Sequence, residues 1–359
     1  MKSQVFRFNN FDLLRLIAAL QVAAYHVVSI LEVDPPAFIK SILYFSFMFP
    51  GVPIFFFISG FLISKSYESN HKLSEYFQNR VLRLFPALII CVTFSFVLIF
   101  SSGYMMSAKA GFFDWGALYL AKVSILQFYN PDFMRAYGDG VLNGSLWTIT
   151  VEIQFYILVP IIYSLFKLRD SEKFNYIIIT LILFFLLINR LYTYIPEEYH
   201  NQVAYKLMRV SFLPWFYMFL FGIFVQKNFE FFHEVLAGKI FLIFILYCGV
   251  GYYALTHNIA LGNNINPVIF VLLALLGFTF AYSYTGISKL VLRGNDISYG
   301  AYIYHMPVIN FMLYVGFSGY ILNAVYAFVA TIFLALISWV FIEKKSLKLK
   351  RHPLNPLNN

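Results

Sequence analysis

The chain has 359 residues, of which 60% are hydrophobic and 21% aromatic; only 12% are charged, and the mean hydropathy is +0.72. Soluble domains carry about a quarter charged residues, and no water-facing surface could hide this much apolar area, so a soluble globular fold is excluded and lipid is the expected solvent. The net charge of +9 does not point to nucleic acid, because the basic residues lie in short segments between apolar runs and form no continuous stripe or nucleic-acid motif.

A membrane-spanning helix needs about 20 mostly apolar residues. Runs that meet this test fall near 11–31, 44–64, 82–101, 145–166, 176–194, 208–226, 238–256, 266–285, 297–316 and 320–342. The predicted fold class is therefore all-α, a polytopic membrane protein of about ten helices. With the N-terminus inside, 17 Lys and Arg, from Lys2 and Arg7 through Lys65, Arg80 and Lys227 to Lys350 and Arg351, fall in cytoplasmic segments, against 7 on the other side. Positive charge accumulates on the cytoplasmic side, so both termini are expected there. Residues 1–343 read as one transmembrane domain and 344–359 as a short basic tail, KKSLKLKRH at its start, set for inner-leaflet headgroups.

The first run follows MKSQVFRFNNFD, has no small-residue cleavage site, and reads as a retained span. It holds Arg15 and His26, eleven positions apart, which at 100° and 1.5 Å per residue puts them within about 20° of one face and about 16 Å apart along the axis. Taken singly, Arg15 is a snorkelling anchor and His26 a core histidine bonded to a neighbouring helix; aligned on one face, they ask for a cavity or partner. Ala18, Ala19, Ala23 and Ala24 serve close helix packing. The third run opens RVLRLFP, where Arg80 and Arg83, three apart, project from one side of its cytoplasmic end. The pair anchors the helix at the inner surface, and with Arg15 at the same level it also forms a set of guanidinium forks suited to phosphate.

The 102–144 connection is the longest, with an aromatic, amphipathic middle from Trp115 to Tyr129 that reads as an interfacial or re-entrant helix. The fourth run begins GSLWTITVEIQFYILVP and places Ser145 and Glu152 on one face, with Thr148 and Tyr156 near the same stripe. Glu152 is expected about 10 Å below the outer surface, at the depth of His26. The ninth run, DISYGAYIYHMPV, carries His305 two residues before Pro307, where the histidine is suited to satisfy the backbone carbonyl that proline frees. Asp12 and Ser298 sit at helix starts as capping or first-turn residues, with Asp296 beside the latter. Cys91 and Cys248 lie inside separate apolar runs without metal-ligand spacing and read as packing residues; no metal is expected.

These segments together resemble the acyltransferase-3 family of multi-pass membrane acyltransferases, over nearly the whole chain. FDLLRLIAALQVAAYH resembles the family's arginine, ten residues, histidine motif; GVPIFFFISGFLIS its glycine- and aromatic-rich second helix; and RVLRLFP its paired arginines. SLWTITVEIQFYILVP, ISYGAYIYHMPV and FIEKKS follow in family order, the last without the proline many relatives have after the lysine. The resemblance implies O-acylation of a carbohydrate, with acetyl-CoA or another acyl-CoA as cytoplasmic donor and a cell-surface polysaccharide or lipid-linked glycan as acceptor, at the cell's inner or plasma membrane. It maps the family's essential residues onto His26 and Arg15 and its paired arginines onto Arg80 and Arg83. The form resembled lacks an appended hydrolase-like domain, so the membrane domain or a partner must hold the acceptor.

Residue chemistry and resemblance agree on a site in which Arg15, Arg80 and Arg83 bind the CoA phosphates and the thioester reaches His26. Histidine titrates near neutrality in water and can take a proton from a sugar hydroxyl and return it to a thiolate, or accept the acyl group itself; both roles fit the pattern. Glu152 is expected to orient the imidazole as the second catalytic residue, with Ser145, Trp147, Tyr156 and His305 lining the acceptor side. A proton-coupled transporter of a lipid-linked or small anionic substrate, using His26, Glu152 and His305 as a relay, is the rival reading. The clustering of arginines at one surface and the lack of paired halves with broken helices count against it.

Overall fold

The computed structural model describes residues 9–69, 72–169 and 171–350. Lys2, Arg7 and Arg351, used above for orientation, lie outside these residues. The described chain is helical throughout, with no strand. Its principal helices are α1 (Phe11–Ile30), α2 (Ala37–Phe47), α3 (Gly51–Ser69), α4 (Leu73–Ser101), α5 (Phe112–Val123), α6 (Trp147–Leu165), α7 (Phe174–Thr193), α8 (Phe216–Lys227), α9 (Phe229–Leu236), α10 (Ile240–Thr256), α11 (Pro267–Tyr282), α12 (Ser298–Tyr314) and α13 (Ile321–Ser338).

Each predicted run overlaps one of these helices, but fewer of them qualify as spans by length and composition. Six helical stretches are long and apolar enough to cross a membrane, or seven if α9 and α10, bent by 89° at their junction, count as one. The shortfall has a physical cause. Helix α11, of 16 residues, rises only about 24 Å, less than a hydrocarbon core of about 30 Å, and α8, of 12, and α12, of 17, rise only about 18 and 26 Å. The latter two lie in the interior: Ser298 through Asn310 are all buried, as is most of α8. Outer helices instead turn residues such as Phe241, Ile245 and Phe333 outward, at 70%, 70% and 62% exposure, as lipid solvation requires.

Small residues set the tightest crossings. A Cβ on Gly60 of α3 would stand 1.9 Å from the Phe219 carbonyl oxygen of α8, and one on Gly222 of α8 would stand 2.2 Å from that of Phe57. The α3 and α8 backbones therefore touch, a contact that only glycine permits. Helix α1 meets α3 the same way: a Cβ on Gly51 would lie 2.6 Å from the Ala18 carbonyl oxygen, and the Gly51 N–H donates to Gln21 Oε1 at 3.2 Å. Ala18, Ala19 and Ala23 are buried in that packing. The start of α1 is pinned by Asn10, fully buried, whose side chain donates to the carbonyls of Phe280, Ser283 and Tyr284 and accepts from Ser288 N–H.

In the 102–144 connection, α5 buries Trp115 and Leu118 against Ile99, Tyr104 and Met134, buries Lys122 as well, and turns Phe112 and Phe113 outward at 86% and 87% exposure. Gly138, at φ +55°, lies so close to α12 that a Cβ there would be 2.7 Å from Asn310 Cα. Asn310 in turn accepts from Asp139 N–H and donates to the Val141 and Leu142 carbonyls, tying the connection to α12.

Candidate active site

A cavity of about 510 Å³ enters one end of the bundle, within the range of small-molecule sites. Arg15 of α1 and Arg80 and Arg83 of α4 line it, with Asp12, Asp296 and Lys350. Its wall on α3 extends from Ile63 to Val52, eleven positions and therefore about 16 Å, and on α6 from Tyr156 past Glu152 to Thr148. Helix α4 makes the arrangement possible: its 29 residues rise about 43 Å, more than a bilayer core, so its first turns hold arginines where water reaches them.

The three guanidinium groups are held differently. Arg83 makes a 2.6 Å ion pair with Asp296, and Arg15 stands 3.8 Å from Asp12. Arg80 donates to Ser66 Oγ at 2.6 Å and lies 5.6 Å from the ring centroids of both Tyr76 and Tyr156. Its buried Nε has no partner among the described residues. Burial pushes the Asp296 carboxyl up, but Arg83 and Arg15 beside it and the Ser298 hydroxyl outweigh that and hold it at about 2. Lys350 is lowered to about 7, first by burial and then by repulsion from Arg83, Arg80 and Arg15. Three guanidinium groups and a lysine around one cavity favour a polyanion there. Among the described residues, no cluster of His, Cys, Asp and Glu is arranged to hold a metal ion.

Further in, Glu152 accepts from Ser59 Oγ at 3.0 Å and from the Tyr156 hydroxyl at 2.6 Å, and all three line the cavity. No hydrogen bond joins Glu152 to His26. His26 meets His305 instead, with Nδ1 and Nε2 2.9 Å apart and ring centroids at 5.2 Å. His305 is fully buried, and its Nδ1 lies 3.3 Å from the Ala301 carbonyl oxygen. Neither histidine lines the cavity. Tyr302 does, and its ring packs edge-on to His305 with centroids 5.8 Å apart, so this side chain touches both the cavity and the pair.

The carbonyl that Pro307 frees, four residues back at Ile303, is taken by Asn143 Nδ2 at 2.8 Å and the Cys91 thiol at 3.2 Å. His305 is not needed for that purpose, contrary to the expectation from sequence. Ser145 is 1% exposed; its hydroxyl donates to Asn143 Oδ1 at 2.7 Å, and it fastens the start of α6 to α12 rather than lining the cavity. Trp147 is half-buried, packs on Trp215 at 5.4 Å, and has the Arg209 guanidinium 5.9 Å from its ring centroid, away from the cavity lining. The structure thus assembles Arg15, Arg80, Arg83, Glu152 and Tyr156 in one cavity, and His26 with His305 beyond it. Three residues of this arrangement escape a reading of the sequence: Ser59, Tyr302 and, as the partner of Arg83, Asp296. Asp296 carries a signal, an acidic residue two before a buried Ser298, but the pattern by itself points only to a helix start.

Helix α13 runs into a π-helical turn, Trp339–Glu343, of a kind often found near functional sites. Trp339 lines the cavity, and the Glu343 carboxylate accepts from Ser338 Oγ at 2.8 Å.

Comparison with known proteins gives a family match over residues 8–343, to the acyltransferase domain of the acyltransferase-3 type. The chain is 28% identical to nodulation protein 10 of Rhizobium leguminosarum bv. viciae, across 95% of this chain and 94% of that protein. It is 26% identical to the O-acetyl transferase of Shigella phage Sf6, across 94% and 96% respectively. A shorter stretch, 35% of this chain and 22% of the relative, is 30% identical to the O-acetyltransferase OatA of Staphylococcus aureus. No solved structure gives a significant match.

Proposed function

From its membership of the acyltransferase-3 family, to which this chain belongs as a multi-pass membrane O-acyltransferase, we propose that it moves an acetyl group from acetyl-CoA to a carbohydrate hydroxyl. The acceptor is a cell-surface polysaccharide or lipid-linked glycan, and the site is in the cell's inner or plasma membrane with the arginine end toward the cytoplasm. The names of the phage and staphylococcal relatives support acetyl as the group moved.

The observation that carries this reading is the convergence of Arg15, Arg80 and Arg83, from two helices, on one cavity that also holds Lys350. Arg80 lines the cavity and has no acidic partner among the described residues, so its charge is left for a polyphosphate. The CoA phosphates sit on these cations, and the pantetheine arm follows the α3 and α6 walls past Glu152 toward Tyr302. Tyr302 turns aside, and the thioester meets His26. The His26 imidazole removes the proton from the acceptor hydroxyl as its oxygen attacks the thioester carbonyl; the carbon–sulfur bond breaks, and the CoA thiolate takes that proton from the imidazolium. Glu152, tied to Ser59 and Tyr156, shapes the channel and balances the arginines.

The test is transfer of label from acetyl-CoA to the glycan fraction of host membranes. His26→Ala is expected to lower transfer by at least about 10²-fold at normal expression. Undiminished transfer would exclude His26 as the base.

A further inference from the structure

We infer that His305 is a positioning residue that fixes His26 in the one tautomer able to act as a base, an inference that rests on the reading of His26 given above. A carbonyl oxygen can only accept a hydrogen bond, so the contact from His305 Nδ1 to the Ala301 carbonyl, at 3.3 Å, places a proton on that nitrogen. A neutral imidazole then has a bare Nε2. That bare nitrogen faces His26 Nδ1 at 2.9 Å and can only accept, so His26 carries its proton on Nδ1. His26 Nε2 is left with its lone pair free, which is the form a general base requires.

The surroundings enforce this chain of donors. His305 is fully buried on α12, where Tyr302 packs edge-on against it. With the Ile303 carbonyl already satisfied by Asn143 and Cys91, His305 has no duty to the proline-broken backbone. A carboxylate in its place would hold the same tautomer but add a charge inside the membrane; a second neutral imidazole does so without one. During transfer, His26 gains the acceptor's proton on Nε2 and hands it to the CoA thiolate, while its Nδ1–H stays on His305 and His305 undergoes no net change.

The experiment uses the full-length protein in membranes, with acetyl-CoA as donor and host-membrane glycan as acceptor, and measures kcat and the KM for acetyl-CoA. His305→Ala is expected to lower kcat by about 10²-fold with KM for acetyl-CoA within about twofold, because tautomer control acts on the chemical step and not on phosphate binding. His305→Gln, whose side-chain carbonyl can accept from His26 Nδ1–H, is expected to recover at least tenfold of that loss. Wild-type kcat in His305→Ala, or a Gln variant no better than Ala while KM shows both to be folded, would overturn the role of His305 and leave His26 as base. Full activity in His26→Ala would instead remove the base reading itself, so the two failures are distinguishable.

Discussion

Arg80 and Arg83 stand three residues apart on α4, yet their environments predict different behaviour. Arg83 is paired to the buried Asp296 at 2.6 Å, so truncating it would leave a buried carboxylate without its partner, at a cost of about 3–5 kcal/mol in folding. Arg80 has no acidic partner among the described residues, so Arg80→Gln strands no carboxylate and is the cleaner probe of phosphate binding. A charge-assisted hydrogen bond contributes about 1.5–3 kcal/mol. Arg80→Gln is accordingly expected to raise the KM for acetyl-CoA by about 10- to 100-fold, measured by titrating labelled donor against membranes, with a smaller loss of thermal stability than truncation of Arg83. The candidate phosphate residues are legible in the sequence because a cation at a helix end is conspicuous in an apolar chain. The His26–His305 contact is not, because 279 positions separate them and no periodicity along one helix reports which other helix lies alongside.

Helices α3 and α8 are joined along a line where backbone meets backbone, and this makes a contrast between glycines testable. At Gly222 any side chain would meet the Phe57 carbonyl oxygen at 2.2 Å, and neither backbone can retreat without parting the crossing. Gly222→Leu is expected to abolish a monodisperse protein peak in detergent, since even moderate overpacking costs about 1–3 kcal/mol and this clash is larger. Gly249 of α10 has nothing within 4 Å, and Gly249→Ala is expected to keep or slightly raise the melting temperature, as alanine is favoured over glycine in a helix by up to about 1 kcal/mol. Size-exclusion profiles and melting curves of the two variants decide the matter. Sequence alone puts both glycines in apolar helices; only the crossing tells them apart. The same limit applies to the span count, because an interior helix and a lipid-facing one are equally apolar.

Among the described residues, one buried cation lies outside the lining of the arginine cavity. Lys122 in the 102–144 connection is fully buried and donates to the Gln127 carbonyl at 2.5 Å and to Asn130 Oδ1 at 2.9 Å, while Gln127 Oε1 accepts from Thr150 on α6. Burial lowers its pKa from the ordinary lysine value of 10.5 to about 7. Between those values the unfolded chain holds a proton that the folded chain has released, so the stability of this unit rises as pH increases from about 7 to about 10.5. The melting temperature is expected to climb over that window, by an amount reflecting a few kcal/mol at most. Lys122→Met should remove this contribution to the slope; an unchanged slope would assign it to other groups.

What composition and hydropathy determined without any coordinates was the solvent, the all-helical class and the candidate phosphate-binding arginines, since each follows from the energetic cost of placing a charge or a bare peptide group in hydrocarbon. Motif order added the family. Tertiary structure alone decided which polar groups in the membrane face each other. It paired His26 with His305 rather than with Glu152, gave the Pro307-freed carbonyl to Asn143 and Cys91, and packed the cavity-lining Tyr302 against His305. A buried polar group must find some partner, and that requirement can be read from a single helix. Which partner it finds depends on how helices distant in sequence cross, and here those crossings are set largely by glycine and alanine contacts that carry no polar signal of their own.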